Sequence, residues 1–207
     1  MRYHFIVLFI TLWSWSVFAQ KSPYDYGMDT TQALPHGMEV GEKVDNFITT
    51  DIEGNEVVLN QLLKSGPVVI LFYRGEWCPV CNRYLSELND ALPAINEKGA
   101  TVVVISPELL VNAAKMKENS QSDFVFISDN KLKISTAFDV LFTVTEKYQK
   151  KINRFLKKDI KQNNGATEAR LPVPATYIID QNGKVIYKQF DYNYRNRASA
   201  EDILKML

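Results

Sequence analysis

The chain predicts an α/β protein with a mixed central β-sheet and helices on both faces, and three observations carry that expectation. Apolar runs at Pro67–Tyr73, Thr101–Ser106 and Phe124–Ser128 lack polar alternation, as strands buried on both faces do. Each run is followed by a segment of helical period. Near the end, Asn182-Gly183 has the chemistry of a tight hairpin turn and pairs Val173–Asp180 with Lys184–Phe190, which gives the sheet antiparallel members.

In chain order, residues Phe5–Phe18 form an apolar run behind Arg2 and ahead of Val17-Phe18-Ala19, where small residues suit a signal peptidase. Residues 1–19 therefore read as a signal peptide. A membrane anchor is the competing reading, but a spanning helix needs about 20 apolar residues and this run is shorter. No cysteine follows the run, which disfavours a lipid-modified terminus. The expectation is an exported protein, periplasmic or secreted, with no stable membrane insertion once the peptide is removed. Residues 20–40, with Pro23, Gly27, Pro35 and Gly37, read as an arm or linker, and His36 within it as solvated. Residues 41–207 read as one domain.

Within that domain, Asn46–Leu59 alternates around Glu53-Gly54-Asn55 as an N-terminal hairpin extension leading into a short helix at Gln61–Lys64. After the first buried strand, Cys81, Tyr84, Leu85, Leu88, Leu92 and Ile95 fall at helical spacing up to a cap at Gly99. Further helices are expected from Pro107-Glu108 to Glu118, over Lys131–Phe138 and over Ala198–Leu207. Glu146–Lys161 reads as a basic amphipathic helix with a solvated face, followed by a loop over Gln162–Arg170.

Composition narrows the function. With 24 Lys+Arg against 24 Asp+Glu the formal net charge is zero, so no global field attracts a polyanion, and nucleic acid is not an expected partner. Two cysteines are too few for a disulfide framework, and two histidines leave little for an imidazole-rich metal site. The sequence implies no metal and no cofactor.

The chemistry concentrates in Arg74-Gly75-Glu76-Trp77-Cys78-Pro79-Val80-Cys81. Cys78 follows a buried strand and opens a helix, where backbone N–H groups and the helix dipole favour a thiolate. Pro79 suits the first helical turn, which needs no intrahelical N–H partner. Cys81 lies one turn on, within reach of a Cys78–Cys81 disulfide, so the pair can cycle with Cys78 attacking and Cys81 resolving. Arg74 supplies a positive charge for the thiolate or for a developing oxyanion. Blander readings weigh against this one. A structural disulfide across so short a loop would constrain the unfolded chain only modestly. A zinc half-site would lack its second cysteine pair. Arg74 alone would suit a plain ion pair.

Phe72-Tyr73-Arg74-Gly75-Glu76-Trp77-Cys78-Pro79-Val80-Cys81-Asn82, Leu171–Asp180 and Asp191-Tyr192-Asn193-Tyr194-Arg195 together resemble the bacterial peroxiredoxin-like branch of the alkyl hydroperoxide reductase/thiol-specific antioxidant family, over about Val40 to Leu207. The resemblance implies a thioredoxin fold carrying a helical insertion. It also implies that Cys78 is a peroxidatic nucleophile, oxidised by a peroxide to a sulfenic acid, that Cys81 resolves it, and that a thioredoxin-like dithiol reductant reopens the disulfide. In that fold Pro174 becomes a candidate cis-proline facing the cysteines, with Trp77 and Pro79 supporting. Two positions depart from the peroxiredoxin pattern: Gly75 and Leu71 stand where a hydroxyl residue and a proline are usual. A slower or differently selective peroxidase is expected, with Arg74 polarising the peroxide. A late-strand arginine is also usual, and Arg170, expected in a loop, matches it poorly. The alternative is an exported thiol-disulfide oxidoreductase acting on protein disulfides, for which Trp77-Cys78-Pro79-Val80-Cys81 serves equally well. Arg74-Gly75 and the insertion Asp139–Arg170 favour the peroxidase, and export favours the oxidoreductase. A third possibility is a binding module with an inert disulfide.

Overall fold

The computed structural model describes residues 21–207, so the expected signal peptide lies outside the described residues. Five strands form the main sheet: β3 (Val68–Phe72), β4 (Thr101–Ser106), β5 (Val125–Ser128), β8 (Ala175–Ile179) and β9 (Val185–Phe190), in the order β5-β4-β3-β8-β9. β3, β4 and β5 pair in parallel, while β8 runs antiparallel to both β3 and β9. The hairpin turn forms where Asn182-Gly183 suggests it. Gly183 has φ +79, and the Asp180 carboxylate accepts from the backbone N–H groups of Asn182 and Lys184.

Period-2 geometry divides β3 between two cores. Val68, Ile70 and Phe72 pack with Leu59 and Leu63 of α1 (Leu59–Ser65) and with Phe138 just after α5 (Lys133–Ala137). Val69, Leu71 and Tyr73 pack on the other face with Cys81, Leu85 and Leu88 of α2 (Pro79–Asn89), Ile95 of α3 (Leu92–Glu97) and Met116 of α4 (Leu110–Ser120). That second face also takes Ile152 of α6 (Glu146–Leu156), Ile160 of α7 (Ile160–Asn164) and Ile203 of α8 (Ala200–Met206). The expected N-terminal hairpin is β1 (Ile48–Thr50) with β2 (Glu56–Val58).

Three segments depart from the sequence reading. The single helix expected from Cys81 to Ile95 is two, because Pro93 has no N–H to donate into the preceding turn and its ring excludes a continuous ladder; it sits instead in the first turn of α3. The helix expected over Glu146–Lys161 stops at Leu156, where Lys157 turns left-handed (φ +55), and α7 straddles the boundary with the expected loop, capped by Asp159 accepting from the Gln162 N–H. The same insertion carries a two-stranded sheet of β6 (Leu141–Thr143) and β7 (Arg170–Pro172). Arg170 is therefore a strand residue paired with Thr143, not part of a loop.

The arm before residue 41 is packed on the body. Met28 is buried and bridges to Val144, and the Pro35 carbonyl accepts from the Tyr192 hydroxyl. His36 is exposed, its backbone held by the Asp139 carboxylate and Lys188. Among the described residues no helix is long and apolar enough to cross a membrane.

Candidate active site

β3 delivers the reactive segment to the edge of the core. Tyr73 continues the strand direction inward, and its hydroxyl donates to Glu108 Oε1 at 2.7 Å. Glu108, just beyond β4, also accepts from the Glu76 N–H at 2.8 Å and from Asn163 Nδ2 of α7 at 3.2 Å. One buried carboxyl thus ties the strand end, the cysteine loop and the insertion together. Burial raises the Glu108 carboxyl above its ordinary range, although these donors oppose the rise. On the outer side, Glu76 forms an ion pair with Lys158.

The turn into α2 needs Gly75. Its φ is +152, and a Cβ there would run into the Trp77 indole nitrogen. A threonine or serine at this position would collide with the same ring, so the hydroxyl usual in peroxiredoxins has no room in this loop. The Cys78 N–H donates to the Gly75 carbonyl, and Asn82 Nδ2 donates to the carbonyls of Glu76 and Cys78, which closes the turn.

Cys78 is the N-cap of α2 and Pro79 its first residue. The sulfur takes the place of the usual capping oxygen: Cys78 Sγ accepts from the Cys81 N–H at 3.3 Å. Arg74 Nη2 approaches the same sulfur at 3.5 Å, while Nη1 donates to the Tyr148 hydroxyl of α6 at 2.8 Å. The guanidinium is only 3% exposed, stacks 3.7 Å from the centroid of Tyr194 and lies 5.2 Å from that of Trp77. Burial works against its charge, but the neighbouring Cys78 thiolate outweighs that and holds Arg74 firmly cationic.

Both thiols are free and fully buried, so the structure presents the dithiol form of the pair. Their acidities diverge. Burial would raise the Cys78 thiol, but the hydrogen bond from Cys81 and the charge and N–H of Arg74 bring it well below the ordinary thiol value. Burial raises Cys81, and the hydrogen bond and charge of Cys78 raise it further, with Arg197 and then Arg74 opposing. The surroundings therefore favour the thiolate at Cys78 over one at Cys81.

The site therefore brings together Arg74, Trp77, Cys78, Pro79 and Cys81. It does not use Pro174 as expected: the peptide bond before it is trans, since the described residues contain no cis bond. The chain runs extended there between β7 and β8, with the Val173 N–H donating to the Val140 carbonyl, so no tight turn offsets the intrinsic preference for trans. Among the described residues the guanidinia on the two sulfurs are those of Arg74 and Arg197, not Arg170. Sequence reasoning missed Tyr148, Tyr194, Arg197 and Glu108. Tyr194 lies within the Asp191–Arg195 stretch already singled out, but no local pattern marks the other three.

A family model described as the AhpC/TSA family matches residues 40–188. The thiol-disulfide oxidoreductase ResA of Bacillus thuringiensis subsp. konkukian is 27% identical over 170 residues, covering 82% of this chain and 79% of that protein. A protein named a peroxiredoxin in Mycobacterium tuberculosis is 30% identical over 103 residues, 50% of this chain and 67% of its own length. Among solved structures, the peroxidoxin BcpB of Mycobacterium tuberculosis superposes with a TM-score of 0.62 at 24% identity, over 82% of this chain and 96% of that one. The fold is thioredoxin-like: a five-stranded mixed sheet with an N-terminal hairpin and flanking helices.

Proposed function

Because the chain belongs to the AhpC/TSA family and carries a redox-capable Cys78–Cys81 pair, we propose that this thiol-based oxidoreductase exchanges its dithiol with disulfides of other proteins, on the exported side of a membrane. The observation that carries the reading is the geometry of two free thiols within one helical turn, with the Cys81 N–H at 3.3 Å and Arg74 Nη2 at 3.5 Å from Cys78 Sγ. The Cys78 thiolate attacks one sulfur of a substrate disulfide, whose other sulfur leaves as a thiolate. A mixed disulfide then joins Cys78 to the substrate. Cys81 loses its proton and attacks Cys78 Sγ, expelling the second substrate thiolate and closing the Cys78–Cys81 disulfide. Two electrons pass from the pair to the substrate, and an external dithiol restores the pair. The ResA relatives, which span most of the chain, support this reading over a peroxidase, as does Gly75, whose neighbourhood leaves no space for the hydroxyl that mainstream peroxiredoxins place against a peroxide.

A second reading, the thiol peroxidase, has one specific observation in its favour. Arg74 Nε and Trp77 Nε1 are buried donors in the loop that leads to Cys78, and among the described residues neither has an acceptor. A peroxide oxygen would satisfy them. In this chemistry the Cys78 thiolate attacks one peroxide oxygen, the O–O bond breaks and the other oxygen leaves as water or an alcohol; Cys81 then attacks the Cys78 sulfenic acid and expels its oxygen as water, closing the disulfide.

Both readings make Cys78 essential, and substrate separates them. With dithiothreitol as electron source, the wild-type protein is expected to accelerate insulin disulfide reduction and Cys78→Ser to be inert. Hydrogen peroxide and cumene hydroperoxide, supplied with a thioredoxin system, should be consumed no faster than by the Cys78→Ser variant. Cys78-dependent peroxide turnover without insulin reduction would replace the first reading with the second.

A further inference from the structure

Arg197 donates through Nη2 to Cys81 Sγ at 3.3 Å, from a segment 116 residues further along the chain. Its Nε donates to the Tyr194 carbonyl at 2.9 Å, and its guanidinium lies 4.9 Å from the Tyr84 ring centroid. These two contacts fix the fork against the sulfur, while one edge of the side chain borders a groove of ≈ 520 Å³ shared with Val80, Arg83, Tyr84 and Arg195. Each sulfur thus has its own arginine: Arg74 on Cys78, Arg197 on Cys81. Arg74 is explained by the thiolate it faces. Arg197 faces a group that is a neutral thiol in the same state, so its role belongs to a later one.

We propose that Arg197 is a catalytic residue of the second half-reaction, holding Cys81 as the thiolate that attacks the Cys78 mixed disulfide. The inference rests on the thiol-exchange reading above. The charges around Cys81 give the order of events. Cys78 and Arg74 face it from the loop before α2, Arg197 from the segment before α8 and the Tyr73 phenol from the residue after β3, with Glu108 behind that phenol. Tyr84 lies under Arg197, with Asp202 of α8 acting on Tyr84 from beyond it. While Cys78 is a thiolate, a second negative sulfur beside it is disfavoured. Once Cys78 is bonded to substrate sulfur its charge is gone, and Cys81 can give up its proton to solvent water by way of the groove that Arg197 borders, with Arg197 stabilising the thiolate that remains. The first covalent bond thereby arms the second nucleophile, and Cys81 does not compete for substrate beforehand.

The two steps separate experimentally with 5,5′-dithiobis(2-nitrobenzoate), whose coloured thiolate is released once when Cys78 attacks and again when Cys81 resolves. In a Cys81→Ser background only the first release remains. Arg197→Ala is expected to slow the second release by roughly 10- to 100-fold, the scale of one charge-assisted hydrogen bond. The pH profile of that release should move to higher pH, and Arg197→Lys should recover part of the rate. The first release, read in the Cys81→Ser background, should change by less than about twofold. A second release that is unchanged in rate and pH profile overturns the inference. So does an equal slowing of both releases, because Arg197 would then act by holding Tyr194 against Arg74. A wild-type protein that releases no coloured thiolate at all removes the thiol-exchange reading itself, a result distinct from either.

Discussion

On one face of β3, Val68, Ile70 and Phe72 meet Leu59, Leu63, Phe138 and Tyr177, and the rings of Phe72, Phe138 and Tyr177 contact one another at centroid separations of 5.2–6.2 Å. On the other face, one residue out of step, Leu71 and Tyr73 lead into a site where two thiols, a guanidinium and a carboxyl are all buried. The first face removes apolar area from water and fills space, which is what stabilises a small α/β domain. The second face buries groups that resist burial, and each is offset by a named partner: Arg74 by Cys78 and Tyr148, Glu108 by Tyr73, Glu76 and Asn163, Cys81 by Arg197. Strand periodicity alone keeps the two kinds of interior apart, so perturbing one should leave the other nearly intact.

That separation can be broken from either side. Cys78→Ser should reduce disulfide exchange by more than about a thousandfold, because a hydroxyl has neither the acidity nor the nucleophilicity of the thiolate, while far-UV circular dichroism should show the sheet and helices intact. Phe138→Ala, on the opposite face, should cost about 3–5 kcal/mol in urea denaturation. The rate at which its folded form reacts with iodoacetamide should match the wild type. Arg74→Gln should move the midpoint of the iodoacetamide pH profile at Cys78 upward and slow alkylation at pH 6 by roughly tenfold, since a charge-assisted hydrogen bond to the sulfur is lost.

The smallest effect concerns Glu108. Folding raises its carboxyl above the unfolded value of about 4.3, so the protonated form is favoured in the folded state. Its contribution is complete below the unfolded value and is lost as pH rises through the folded one. Glu108→Gln, which stays neutral, should therefore gain stability relative to wild type as pH rises above the unfolded carboxyl value, by about 1 kcal/mol, the scale of one hydrogen bond. A parallel pH dependence for both proteins would count against the buried carboxyl as a source of tension on this face.

Most of the sheet was legible in the sequence because buried strands advertise themselves through continuous β-branched runs, and Asn182-Gly183 marks its turn locally. The insertion was less so. β6 and β7 are three residues each, too short for a periodic signal, and exist because Leu141 and Phe142 find Pro172 and Leu171 across the chain. At the site, Arg74, Trp77, Cys78, Pro79 and Cys81 were readable since they share one loop and one helical turn. Tyr148, Glu108 and Arg197 come from three other segments, and only the folded chain brings them to the site. The cis form expected at Pro174 came from the resemblance rather than from the residues themselves, and the extended backbone between β7 and β8 accommodates the trans form.

The long sequence separation of Arg197 from Cys81 also bears on how the chain is made. Cys78 and Arg74 leave the ribosome four residues apart, and α2 can begin to shelter them as soon as β3 has a partner. Cys81 must wait for another 116 residues before its arginine exists. During synthesis the nascent pair therefore has Cys78 beside its arginine while Cys81 still lacks one. Any mixed disulfide it forms by attacking a passing disulfide at that stage would persist until the segment carrying Tyr194 and Arg197 docks, so that completion of the fold serves as the release signal.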